Sequence, residues 1–239
     1  MKKIIIQAGH AGRTSGSTGS PNEQAFNIDI RDKVATELRL SGFEIKTVDA
    51  DPLPTDIAGD WDLFLAIHYD ADIYGTGGGF VDFPEPSTDG STQESQRIAY
   101  LLRQEYFGTT GIVSHPERSN VNTRYYYMWK LLSYKTPCVL IECGVGMHVP
   151  DDWQILHFER PRVVEGIVKG ICLAFNVPYT TTTTTETTTS TSTSTTTLTT
   201  TTLAPVMGCE YYLNKVKEIV FGKGWPWSKV AKLKELLLT

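Results

Sequence analysis

Three stretches of the chain are apolar at consecutive positions: Ile4-Ile5-Ile6, Leu63-Phe64-Leu65-Ala66-Ile67 and Val139-Leu140-Ile141. A strand wetted on one face alternates apolar and polar residues. An unbroken apolar run therefore predicts a short strand covered on both faces, as in a parallel sheet. Phe43-Glu44-Ile45-Lys46-Thr47-Val48 alternates and predicts a strand with one wetter face. Phe80-Val81-Asp82-Phe83 follows three glycines, Gly77 to Gly79, which predicts an edge strand entered through a flexible turn. Between these runs the period changes to that of helices. Phe26, Ile30, Val34 and Leu38 recur every four residues in a helix that starts near Pro21 or Asn22 and stops at Gly42. Ile98, Leu101 and Leu102 mark a second helix over Glu94 to Phe107, and Val163, Ile167 and Ile171 a third over Arg162 to Phe175. Alternating strands and helices over residues 1–179 predict an α/β sandwich, a mostly parallel central sheet flanked by helices.

The pattern stops at Thr180. From there to Thr202 the chain is almost pure threonine, without apolar periodicity, and reads as a flexible Thr-rich linker over residues 180–203. As a loose coil it would reach roughly 25–30 Å. Beyond it, Tyr212, Val216, Ile219 and Val220 form one helical stripe and Val230, Leu233 and Leu237 another, with a turn through Gly222 to Trp227. Residues 204–239 are thus expected to form a small helical module.

Composition fits a folded protein with one sizeable core: 239 residues, 40% hydrophobic and 21% charged. No apolar run approaches the ~20 residues of a membrane-spanning helix. The opening Met1-Lys2-Lys3-Ile4-Ile5-Ile6 imitates an export signal, but Gln7 and His10 interrupt it early, and it reads as the first strand of the mature fold. The net charge of −5 is unevenly spread: residues 204–239 carry six lysines against three glutamates, a net +3, leaving −8 on the rest. An acidic body lacks the basic footprint of a nucleic-acid binder. The basic tail could bind anionic wall polymers or a lipid surface, or pair with another copy of itself. The four cysteines form no disulfide framework. Cys138 and Cys143 should face opposite sides of one strand, and Cys172 should sit in a helical core. A reducing compartment is the simplest setting.

The chemistry gathers at the ends of the three apolar strands. His10 follows the first, His68 the second, and Glu142 closes the third. Residues just past the carboxyl ends of parallel strands share one edge, where ligands bind. Glu23 joins them because its helix, returning from the first strand, must begin over that edge. By itself it would suit only the positive end of the helix dipole. With two imidazoles aimed at it, it completes the donor set of a catalytic zinc site, two histidines and a carboxylate, which leaves a fourth position for water. Glu142 suits a proton-transferring role, since a fourth protein ligand would close the site. His115 in a polar loop, His148 past the third strand, and His157 read as peripheral. Asp70 and Asp72 read as turn formers and Tyr125 to Trp129 as mostly core.

Gly9-His10, the helix-opening Glu23, Ile67-His68 and Pro137-Cys138-Val139-Leu140-Ile141-Glu142-Cys143-Gly144 resemble the zinc-dependent N-acetylmuramoyl-L-alanine amidases of the type-3 family, over about residues 1–178. The resemblance implies that His10, Glu23 and His68 bind Zn2+ and that Glu142 is catalytic. It also implies cleavage of peptidoglycan at the amide between the lactyl group of N-acetylmuramic acid and L-alanine. Two positions depart from the family pattern: Ala11-Gly12-Arg13 stands where glycines usually follow the first histidine, and Asp70 where Asn usually follows the second. A catalytic unit with one appended module and no export signal resembles a bacteriophage endolysin. Such an enzyme is made in the host cytoplasm and acts on the wall once the membrane is permeabilised. A zinc peptidase or deacylase acting on another amide, and a non-catalytic wall-binding protein, are the alternatives.

Overall fold

The apolar runs become the middle of a five-stranded sheet. Strands β1 (Lys3–Ala8), β2 (Glu44–Asp49), β3 (Leu63–Asp70), β4 (Phe80–Asp82) and β5 (Cys138–Val145) lie in the order β2-β1-β3-β5-β4. The β1–β2, β1–β3 and β3–β5 pairs are parallel, and β4 is antiparallel to β5. This computed structural model describes residues 1–15, 19–52, 57, 60–71, 76–84, 90–118, 132, 135–147, 149–186 and 196–202. Asp72, Tyr125 to Trp129, His148 and the 204–239 module lie outside the described residues.

Among the described residues, helices α1 (Glu23–Leu40), α2 (Gly90–Thr110), α3 (Pro150–Phe158) and α4 (Arg160–Ala174) accompany the sheet. Alternation along the strands sorts side chains onto two faces. Ile4, Ile6, Leu65, Ile67, Val139 and Ile141 meet the helical stripes in the larger core, together with Phe26, Ile30, Val34 and Leu38 of α1. Burying each such side chain stabilises the fold by about 1.5–3 kcal/mol. Ile5, Phe64, Ala66, Cys138 and Leu140 face the other way, into a smaller core with Val48, Ile57 and Leu132. The sheet is thus covered on both faces, as the unbroken runs predict. β2, the alternating strand, occupies an edge. Cys138 and Cys143 fall on opposite faces and Cys172 lies in the helical core, all three free. Among the described residues, no helix is long and apolar enough to cross a membrane.

Two features differ from the sequence reading. Thr180 to Thr202, expected as a flexible linker without regular structure, contains two strands, β6 (Thr180–Glu186) and β7 (Thr196–Thr202), paired antiparallel from Thr180↔Thr202 to Glu186↔Thr196. Threonine is β-branched and favours extended backbone, a preference that apolar periodicity does not register. The hairpin is anchored where Thr180 N–H donates to Ser41 Oγ at 3.3 Å, and the first unit of the chain runs to Leu203. Helix α3 was not expected either. It is short, with Asp152 and Leu156 as its buried residues, so it has no repeating stripe; its signals were Pro150 at the start and two acids in the first turn.

Asp152 shows what that short helix does. Its buried carboxylate accepts the Gly78 N–H at 2.6 Å and the Val145 N–H at 2.9 Å, tying α3 to the end of β5 and to the turn that enters β4. Asp152→Ala would leave two amides without their acceptor, so a loss of about 2–5 kcal/mol is expected, read as a lower urea midpoint with an unchanged slope.

Candidate metal centre

The chain leaves β1 toward β2 on one side, while β3 and β5 build outward on the other. The strand order therefore reverses between β1 and β3. A crevice opens at such a switch point, outside the carboxyl ends of the strands. His10 follows β1 in a tight turn with φ 58°, closed by Ala11 N–H to the Ala8 carbonyl at 3.3 Å. The turn is tied to the next strand by Gly9 N–H donating to the Ile67 carbonyl at 2.9 Å, immediately before His68. His68 lies within β3, two residues before its end, and Glu142 lies within β5. His68 was expected just past a shorter strand and Glu142 as the last residue of one; both strands run farther, to Asp70 and Val145. His68 and Glu142 are register partners, so their side chains leave the same face of adjacent parallel strands about 4.8 Å apart.

Glu23 is the first residue of α1, with Asn22 before it at φ 68° and no side-chain cap. The helix thus opens over the switch point and delivers a buried carboxylate, 3% exposed, between the two imidazoles. Glu23 Oε1 lies 3.1 Å from His68 Nδ1 and 3.5 Å from His10 Nε2. One donor atom from each of the three residues lies within 4.8 Å of the other two. The rings of His10 and His68 stand edge-on, centroids 4.9 Å apart. Donors ~2.0–2.1 Å from a tetrahedral zinc are separated by about 3.3 Å, so both distances to Glu23 fit a shared divalent ion.

The carboxylate is held from behind. Ser20 N–H donates to Glu23 Oε2 at 2.8 Å, and Asn27 Nδ2 donates to Glu23 Oε1 at 3.2 Å and to the Gly9 carbonyl at 2.9 Å. Gly19, at φ +82°, presses close: a Cβ there would fall 2.6 Å from Glu23 Oε2 and 2.8 Å from His10 Cδ2. Burial alone would raise the Glu23 carboxyl. The His68 hydrogen bond, the two imidazoles and the Ser20 amide more than offset it and hold Glu23 below its ordinary value. Burial lowers the His68 imidazole despite the pull of Glu23, favouring the neutral ring that binds a metal. Burial also pushes Glu142 well above the ordinary carboxylate range, and the charges of Glu23, Asp70 and Asp82 push it further. Glu142 Oε2 has no hydrogen-bond partner among the described residues.

His10, Glu23 and His68 therefore converge, with Glu142 beside His68. The remaining candidates stand apart from this cluster. His115 pairs with Glu117 at 2.6 Å, and His157 packs its ring against Trp153 with centroids 5.2 Å apart. Asp70 ends β3, half-buried, and contributes to the field on Glu142. Residue-by-residue reading had missed the roles of Gly9, Gly19, Ser20 and Asn27. Only Asn27 left a trace, lying one helical turn after Glu23.

A family model described as N-acetylmuramoyl-L-alanine amidase matches residues 4–173. Among solved structures, the chain is similar to the catalytic domain of CwlV, an N-acetylmuramoyl-L-alanine amidase from Bacillus (Paenibacillus) polymyxa var. colistinus. The two are 21% identical with a TM-score of 0.57, over 74% of this chain and 99% of that one. It is also similar to the CwlD amidase from Clostridioides difficile, solved in complex with the GerS lipoprotein, at 19% identity and TM-score 0.56 over 73% and 98% of the two chains. The catalytic domain of the CD27L endolysin targeting Clostridia difficile is 18% identical, with a TM-score of 0.51 over 72% of this chain and 97% of that one. At these identities the structural likeness speaks for the fold. No curated protein matches the chain.

Proposed function

We propose that this chain, which belongs to the N-acetylmuramoyl-L-alanine amidase family, hydrolyses peptidoglycan at the amide between the lactyl group of N-acetylmuramic acid and L-alanine, using Zn2+ held by His10, Glu23 and His68. The observation that carries this reading is the convergence of those three donors on one point at a sheet switch, with Glu142 in register beside His68. A zinc ion there supplies Lewis acidity to the scissile carbonyl and acidifies water toward a pKa of ~7. The two neutral imidazoles and one carboxylate leave that charge only partly neutralised. Glu142 takes the proton from the attacking water and returns it to the departing alanine nitrogen. Burial raises this carboxyl above its ordinary range, which strengthens it as a base toward water and suits it to carry the proton onward. The Asp70 charge beside it tunes the same proton.

Metal analysis of the purified chain, followed by digestion of purified peptidoglycan, tests the reading. One zinc per chain is expected. Digestion should release new N-terminal alanine without new reducing sugar ends, stop after chelation, and resume on adding zinc. New amino groups other than alanine would instead mean a peptidase, and binding without any release a non-catalytic wall-binding protein. Within the amidase reading we assign the chain to host lysis, as an endolysin, on the pairing of one catalytic unit with one short basic segment. Cells expressing it are expected to keep their walls until the membrane is permeabilised. Lysis without permeabilisation overturns that assignment and leaves the amidase reading intact.

A further inference from the structure

We infer that Asn27 is a positioning residue for the metal centre: its side-chain amide selects the Glu23 oxygen presented to the imidazoles and locks α1 to the His10 turn. The inference rests on the metal-centre reading above. Asn27 is fully buried, one turn after Glu23 on the same face of α1. A side-chain amide has two N–H bonds, and Asn27 spends both within this site, on the Gly9 carbonyl at 2.9 Å and on Glu23 Oε1 at 3.2 Å. Gly9 in turn donates its own N–H to Ile67 at 2.9 Å. One residue thus links the helix that carries Glu23, the turn that carries His10, and the strand that carries His68.

The other half of the amide shows what the position is for. Asn27 Oδ1 is buried with no hydrogen-bond partner among the described residues. Flipping the amide would not relieve it, because Oδ1 would then face two acceptors, the Gly9 carbonyl and Glu23 Oε1. An unpaired buried acceptor weakens a fold. A leucine would occupy the same space without that defect. Packing therefore gives no reason for an amide here, whereas the two donated hydrogen bonds do.

Their effect on Glu23 follows from carboxylate geometry. The terminal torsion of a glutamate is broad and nearly two-fold, so a free carboxylate would sample many orientations. Ser20 N–H holds Oε2 at 2.8 Å and Asn27 holds Oε1 at 3.2 Å. Each oxygen has two lone-pair directions. With one direction on Oε1 taken by Asn27, the other remains for the side where His68 Nδ1 and His10 Nε2 lie.

The test is zinc affinity, measured on the full chain by competition with a chromophoric chelator, with a urea unfolding curve of each metal-free protein beside it. Asn27→Leu keeps volume and removes both donors. Asn27→Ala removes them while favouring the helix, and serves should the leucine variant not fold. Both are expected to bind zinc about 10–100-fold more weakly than the parent while remaining folded. A folded variant with the parent's zinc affinity means that Asn27 only packs, and overturns the proposal. A parent chain that binds no zinc overturns the metal-centre reading beneath it, so the two failures are told apart.

Discussion

Glu142→Gln is expected to lower peptidoglycan hydrolysis by about 10²–10⁴-fold while the protein keeps its zinc. The amide preserves the shape of the side chain at the register position beside His68 but can neither accept the water proton nor deliver it to the alanine nitrogen. Because His10, Glu23 and His68 already supply three donors, metal content should not change. A fall in zinc together with activity would make Glu142 a ligand, a different site. The same substitution has a second consequence, in stability. Burial first, and then the charges of Glu23, Asp70 and Asp82, raise the folded-state pKa of Glu142 above its unfolded value of 4.5. Between those two values the folded chain binds more protons than the unfolded one, so this group's contribution to stability falls as pH rises through the window. Glutamine removes that loss. The metal-free variant is therefore expected to be more stable than the metal-free parent. The margin should grow as pH rises above 4.5 and vanish below it, which urea midpoints at about pH 4 and about pH 8 will show. An inactive variant that is also more stable is the signature of a carboxylate kept for chemistry rather than for the fold.

How much of this was legible in the sequence depended on which physical signal each part leaves. The buried strands were readable because Leu63 to Ile67 must be covered on both sides, and α1 because Phe26, Ile30, Val34 and Leu38 fall on one face. The convergence of His10 and His68 was readable because strand ends in a parallel sheet share an edge, so both could be placed without coordinates. Even so, His68 was put just past its strand and Glu142 at the very end of its own. Both strands run farther, since a polar side chain aimed into a site does not end a backbone ladder. The threonine hairpin went unread because its drive is backbone preference and not apolar burial. The supporting contacts left less trace still. Asn27 was visible only as a residue one turn from Glu23, and its two hydrogen bonds depend on where the Gly9 carbonyl points. Gly9 and Gly19 matter for the side chains that surround them, which only the fold assembles.

Gly9→Ala should abolish stoichiometric zinc binding while leaving the fold standing. A Cβ at position 9 would lie 2.2 Å from His68 Cε1, 2.3 Å from Nε2 and 2.4 Å from Nδ1. No real contact is that short, so something must move. The backbone is poorly placed to yield, because Gly9 N–H bonds the Ile67 carbonyl at 2.9 Å and its own carbonyl accepts from Asn27 at 2.9 Å. Gly9 is not among the residues at positive φ, so alanine meets no backbone strain and the conflict is purely one of space. The imidazole is what gives way, and any rotation that clears the methyl carries Nδ1 off its 3.1 Å approach to Glu23 Oε1. With one of three donors displaced, affinity should fall by more than the ~10–100-fold typical of a lost supporting contact. Gly108→Ala is the matched control: an exposed glycine inside α2 with nothing within 4 Å of an added Cβ. There the methyl should leave zinc affinity untouched and favour the helix by about 0.5–1 kcal/mol. If Gly9→Ala binds zinc as the parent does, His68 can hold its ring elsewhere and still serve, and the tight fit between Gly9 and the imidazole is not what builds the site.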